Sequence, residues 1–132
     1  MTSTDFYSWP VRVYYEDTDA GGIVYHASYL KFAERGRTEM LRAVGFEHAP
    51  LLKEEGVAFA VVSMEIKFLK PAVLDDLLEV KTKVTDMKSA SLSMHQEIWR
   101  EKELLTDVSL RLACLDCTGK AVRLPLSLKN LF

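Results

Sequence analysis

Cysteine is scarce in this chain: Cys114 and Cys117 are its two cysteines among 132 residues, set in the run Cys-Leu-Asp-Cys. A zinc site built on such a pair needs two further ligands at suitable spacing, and no second pair exists. A redox pair would stand at a strand-to-helix junction, whereas here a strand-like pattern runs into Thr118-Gly119. Both are therefore read as plain reduced thiols at a strand end. With four prolines, six glycines and no repeat or low-complexity tract, the chain offers no linker, and one domain over residues 1–132 is expected. Neither sign of charge dominates: 17 Lys and Arg stand against 19 Asp and Glu, a formal net charge of −2. That balance argues against nucleic acid or an anionic membrane as the main partner. No stretch approaches the roughly 20 apolar residues of a bilayer span. Met1 to Pro10 has neither a basic n-region nor an apolar run of signal-peptide length. A cytoplasmic protein that is not membrane-embedded is expected.

What is present is the composition of an ordinary globular protein, 48% hydrophobic and 27% charged. Val11 to Tyr15 reads as a short strand of β-branched and aromatic residues, and Asp17 to Gly22 as a turn-rich loop. From Ser28 to Val44 the period becomes helical, with Tyr29, Leu30, Ala33, Met40, Leu41 and Val44 on one face. Ser28 is the expected N-cap and Gly45 the expected stop, with a short helix over Pro50 to Glu55. Thereafter the period is two. Ala60, Val62, Met64, Ile66 and Phe68 predict a long strand with one buried face. Leu78, Val80, Thr82 and Val84, then Leu92, Met94, Gln96 and Ile98, then Val108, Leu110, Leu112 and Cys114 predict three more. Short turns between them imply an antiparallel meander. The expected fold class is α+β: about five antiparallel strands wrapped around one long helix, roughly 26 Å long at 1.5 Å per residue. Such a sheet has edges to protect, and pairing with an identical subunit protects them, so a homo-oligomer is expected.

The chemistry concentrates just ahead of the helix, where Asp17-Thr18-Asp19 is followed by Gly21-Gly22 and His26. A calcium loop fails here, because its fifth and twelfth positions from Asp17 fall on Gly21 and Ser28. No Walker or Rossmann glycine pattern is present, and no serine stands in a Gly-x-Ser-x-Gly turn. A helix N-terminus exposes unpaired N–H groups and the positive end of the dipole, which can hold a developing oxyanion. A carboxylate on the preceding loop can then attack a carbonyl carbon or activate water. Gly21 and Gly22 permit close approach of a ligand to the backbone. The combination favours acyl transfer or hydrolysis.

The run Tyr15 to Leu30, with Phe32-Ala33-Glu34-Arg35 and Arg37-Thr38-Glu39-Met40-Leu41, carries the pattern D-x-D-x-x-G-x-V-x-H from Asp17 to His26. It resembles the hotdog-fold thioesterases of the 4-hydroxybenzoyl-CoA thioesterase family, and most closely the Tol–Pal-system-associated acyl-CoA thioesterase branch. The similarity continues through Pro71-Ala72 and Leu74-Asp75-Asp76 and covers essentially the whole chain. The resemblance implies a hotdog fold and hydrolysis of an acyl thioester to a carboxylic acid and a free thiol, without metal or other cofactor. It makes Asp19 the catalytic carboxylate, as nucleophile or as general base, and leaves Asp17 to the turn. The backbone N–H near His26 polarises the carbonyl, the His26 side chain orients it or assists proton transfer, and Glu34 matches a recurrent family glutamate. Gly22 and Tyr25 join the substrate-binding set. Phe59, Ala60 and Val61, with Lys88, Ser89 and Ala90, match a groove that the family forms between subunits. Ser89 and Ala90 are uncharged where aryl-CoA members have a more basic turn, so coenzyme A and acyl carrier protein both stay open as thioester donors. A homodimer and a homotetramer are equally compatible. Two competing activities remain: a hotdog-fold acyl-thioester dehydratase or hydratase using Glu34 with His26, and a non-catalytic acyl-binding protein of a cell-envelope complex.

Overall fold

The structure, a computed structural model, describes residues 5–129. Strand β1 (Tyr7–Arg12) leads through a one-turn 3-10 helix at Tyr15–Asp17 into helix α1 (His26–Ala43). After a helical turn, α2 (His48–Pro50), and a π-helical turn at Leu51–Glu55, four strands follow: β2 (Val57–Phe68), β3 (Leu77–Met87), β4 (Ser91–Arg100) and β5 (Glu103–Asp116). A last helical turn, α3, covers Leu126–Lys129. The five strands form one sheet in the order β1-β3-β4-β5-β2, antiparallel throughout, so β1 and β2 are its edges.

Several local expectations are corrected. The first strand is Tyr7–Arg12, not Val11 to Tyr15, because its partners run from Thr82 to Leu77 on β3. Pro10 lies within it and is tolerated because an edge strand has one side without ladder bonds. The helix begins two residues earlier than expected, and its N-cap is Tyr25 with no side-chain cap. Ser28 is inside the first turn, where its hydroxyl donates to the Asp17 carbonyl at 3.1 Å. Leu30 is on the exposed side, whereas Phe32, Gly36 and Arg37 join the buried face. On β2 the expected inward row of Ala60 and Val62 is wrong. A register shift between Val61 and Ser63 reverses the phase of the strand, so Val57 and Phe59 pack on the core before it and Met64 and Ile66 after it. As an edge strand without a covering element, β2 leaves Val61, Val62 and Phe68 substantially exposed.

The three remaining strands point Leu78, Val80, Thr82 and Val84, Leu92, Met94, Gln96 and Ile98, and Val108, Leu110, Leu112 and Cys114 inward, all buried. They face α1, which contacts β1 and β3. Gly36 sets the distance: a Cβ built there falls 2.5 Å from Val80 Cγ1 and 3.2 Å from Val80 Cβ. Beside it, the fully buried Gln96 donates to the Ala33 carbonyl and to Thr82 Oγ1, both at 2.8 Å, and accepts from Arg37 at 3.1 Å. The helix backbone, the sheet and the one buried arginine among the described residues are thus joined through a single carboxamide, which satisfies all of its members.

Alanine would add about 1 kcal/mol of helix propensity at position 36. Overpacking against a stiff β-branched side chain costs about 1–3 kcal/mol, and rotating Val80 does not relieve its Cβ contact. Gly36→Ala is therefore expected to lower the unfolding free energy in urea, and an unchanged or raised midpoint would contradict this packing.

Candidate active site

The segment between β1 and α1 is built around two acids with opposite environments. Asp17 is buried, and its carboxylate accepts the Tyr14 N–H at 2.8 Å. Its carbonyl takes the Tyr25 N–H at 2.9 Å as well as the Ser28 hydroxyl. It ties the loop to the start of the helix. Two residues on, Asp19 is exposed and opens a tight hairpin: its N–H donates to the Ile23 carbonyl at 3.0 Å and its carbonyl accepts from Gly22 at 3.0 Å. Gly22 completes the turn at φ +83°, a conformation that side chains resist. Asp19 Oδ1 accepts the Gly21 N–H at 2.8 Å, and Oδ2 has no hydrogen-bond partner among the described residues. A Cβ at Gly21 would stand 3.2 Å from Oδ1, so the glycine keeps that carboxylate uncrowded.

Asp19 lines a cleft of about 350 Å³ with Ile23, Val24, His26, Tyr29 and the segment Phe68-Leu69-Lys70-Pro71. The uncapped first turn of α1 begins at His26, which brings open N–H groups and the positive dipole end to the same place. The His26 ring packs on Tyr25 at 4.4 Å and edge-on to Phe68 at 6.4 Å. Phe68 also meets Tyr29 at 5.5 Å, so aromatic rings form one wall. Tyr29 is buried, and its hydroxyl accepts the Ala72 N–H at 3.0 Å. Burial pushes its phenol above the ordinary value despite that donated N–H, so it is neutral at pH 7. The Ala72 carbonyl in turn accepts the Val24 N–H at 2.9 Å. Arg100 secures the far side of the same loop, donating to Asp76 at 2.8 Å and to Glu103 at 3.1 Å.

The other expected site residues lie elsewhere in the chain. Glu34 opens on a second cavity of about 240 Å³ with Arg37, Thr38, His48, Phe59 and Val61. Ala60 pairs with Ala113 on β5. Lys88 is exposed beside a broad groove on the outer face of the sheet. Ser89 and Ala90 are held through their carbonyls, which accept the N–H groups of Leu124 at 2.8 Å and Cys114 at 3.0 Å. The single chain therefore unites Asp19 and His26 and separates both from Glu34. Phe68 to Pro71 were not singled out by sequence reasoning, because their contact with residues 19–29 spans some forty residues and leaves no local pattern. Between the Asp19 cleft and the broader outer groove, chemistry favours the cleft. It combines an exposed carboxylate, a histidine and a helix N-terminus, whereas the outer groove is lined by strand and turn residues alone.

A five-stranded antiparallel sheet carrying this helix is the hotdog arrangement. Residues 21–106 match the family model described as thioesterase superfamily, and the chain belongs to that family. It is 46% identical to the acyl-CoA thioesterase YbgC of Haemophilus influenzae over 96% of this chain and 93% of that protein. It is 50% identical to the acyl-CoA thioester hydrolase YbgC of an Escherichia coli O6:H1 strain, over 86% of this chain and 85% of that one. A crystal structure of a probable thioesterase from Bartonella henselae superposes with a TM-score of 0.89 at 41% identity, covering 91% of this chain and 99% of the other.

The contrast between the two acids is measurable. Asp17→Ala leaves the part-buried Tyr14 N–H without its acceptor and is expected to cost about 1–3 kcal/mol of stability. Asp19→Ala removes only an exposed turn contact and is expected to cost less than about 1 kcal/mol. Equal losses in thermal unfolding would overturn the division.

Proposed function

We propose that this protein hydrolyses acyl-CoA thioesters in the cleft between the Asp19 turn and the first turn of α1. The observation that carries the reading is the convergence of an uncrowded carboxylate, His26 and uncapped helix N–H groups on one aromatic-walled cleft. With the thioester carbonyl oxygen toward the helix N-terminus, negative charge developing on it is met by N–H donors and the dipole. The free Oδ2 of Asp19 then bonds to the carbonyl carbon, or takes a proton from a water whose oxygen does so. Collapse of the tetrahedral species breaks the C–S bond, and the thiolate leaves to be protonated. In the nucleophilic route water cleaves the resulting anhydride. His26 orients the carbonyl or passes the proton. The same cleft is open to a carrier-protein thioester, and no cofactor is required by this chemistry.

A homodimer through β2 completes the reading. Among the described residues the outer side of this edge strand has no ladder partner, and Val61 and Val62 are about half exposed beside it. Phe59 and Val61 also border the cavity that holds Glu34, so a second copy on this edge would close that cavity. Within one chain Glu34 and His26 face different cavities, which disfavours the dehydratase pairing. The association with the Tol–Pal branch is carried by the sequence resemblance, and a single domain and a cytoplasmic location by composition and patterning. No helix among the described residues is long and apolar enough to cross a membrane.

Asp19→Asn and Asp19→Ala are expected to lower thiol release from acyl-CoA by about 10²–10⁴-fold while the fold persists; near-normal turnover by both would sink the assignment. Single turnover in ¹⁸O-water tests the nucleophilic route: label in the Asp19 carboxylate requires an anhydride opened at the aspartyl carbon. Val62→Lys is expected to shift the protein to monomer in light scattering. An unchanged mass would place the interface elsewhere.

A further inference from the structure

The face of the sheet turned away from α1 carries a group of side chains that the thioester chemistry does not use. Met94, Gln96 and Ile98 point inward, so the period of two sends His95 and Glu97 to the outer face of β4. Antiparallel register sets Asp107 of β5 directly opposite Glu97 and diagonal to His95. Two carboxylates directly opposed on neighbouring strands repel each other. Lys81 and Lys67 stand opposite Glu97 and Asp107 on the neighbouring strands, and each is shared with a second carboxylate. Lys81 pairs with Glu79 at 3.6 Å and lies over the Trp99 ring, and Lys67 reaches Glu65 at 4.0 Å.

We propose that His95, Glu97 and Asp107 form a site for a divalent transition-metal ion, zinc foremost, that clips β4 to β5. Their ligand atoms all lie within 4.8 Å of one another on half-buried side chains. His95 Nε2 stands 2.6 Å from Asp107 Oδ1 and 3.9 Å from Glu97 Oε2. Four-coordinate zinc with ligands at about 2.0–2.2 Å separates them by roughly 3.3 Å, so loading opens the His95–Asp107 hydrogen bond and draws Glu97 Oε2 toward the histidine, each by under about 1 Å. Glu97 is already aimed: Trp99 Nε1 donates to its Oε1 at 3.1 Å, which leaves Oε2 toward the histidine. One imidazole nitrogen with two carboxylate oxygens suits zinc or its transition-metal neighbours better than magnesium or calcium, which favour all-oxygen sets. Three protein ligands leave one position for water. Because the site is on the opposite face from the cleft, it is independent of the thioesterase reading, and its test uses a different readout.

Chelator-treated, desalted wild-type protein titrated with zinc chloride by calorimetry is expected to show one ion per chain at micromolar affinity, with no heat from magnesium chloride. His95→Ala and Asp107→Asn are each expected to weaken binding by at least about tenfold, and Glu97→Gln to do the same without removing side-chain volume. Zinc should raise the melting temperature of wild type and leave that of Asp107→Asn unchanged. Cys117→Ser, which removes the exposed thiol, is expected to bind as wild type does. The proposal is overturned by absence of saturable zinc binding, by wild-type affinity in the His95 and Glu97 variants, or by loss of binding in Cys117→Ser.

Discussion

The buried Gln96 carboxamide is the interaction on which the rest of this structure depends. It holds the Ala33 carbonyl of the helix, the Thr82 hydroxyl of β3 and the Arg37 guanidinium at one point in the core. An apolar side chain there would leave a cation and a hydroxyl in low dielectric without partners, at a cost of several kcal/mol. Burial already pushes the Arg37 guanidinium below its ordinary pKa, and the Glu34 charge opposes that shift. Hydrophobic contact between helix and sheet is non-directional and tolerates sliding; this polar joint does not. With Gly36 setting the separation from Val80, it fixes where α1 lies along the sheet. It thereby fixes where the helix N-terminus points.

From that anchor the site is assembled by backbone hydrogen bonds more than by side chains. Asp17 receives the Tyr14, Tyr25 and Ser28 donors, which closes the loop onto the helix. Tyr29 receives the Ala72 N–H, which brings the Phe68 to Pro71 segment against the same loop. Once these are made, Asp19 is held by its own hairpin, with Oδ1 occupied by Gly21 and Oδ2 open. Two acids two residues apart therefore do different work. One is spent on holding the loop, and the other is exposed with one carboxylate oxygen open.

The sheet divides labour by face and by edge. Its inner face is apolar and covered by α1, while its outer face carries alternating charges whose partners are mostly each other. The shift at Val61 lets a single strand serve two settings: Phe59 reaches the cavity of Glu34, and Phe68, at the far end, reaches the cleft of Asp19. A strand with uninterrupted alternation would turn Phe59 and Phe68 to opposite faces.

The sequence by itself determined the element types and the inward rows of β3, β4 and β5, because period and burial coincide where a strand has neighbours on both sides. It also pointed to the loop ahead of the helix, since the turn glycines, the acidic pair, His26 and the helix start are all local and leave a readable spacing; the choice of Asp19 within that loop came from the family resemblance. It misplaced what depends on distant partners. The first strand was shifted because Tyr14 and Tyr15 favour strands, yet the Asp17 carboxylate captures the Tyr14 N–H and turns the chain instead. The β2 row was misread because a single extra residue at the bulge reverses every side chain beyond it. Arg37 carries no sign of burial in its local sequence, and Gln96, on the third strand after it, gives it a buried acceptor. Glu34 was grouped with His26 because it matches a recurrent glutamate of the family that the chain resembles. Two turns of helix and a separate wall from β2 put them in different cavities, and only packing in three dimensions decides that.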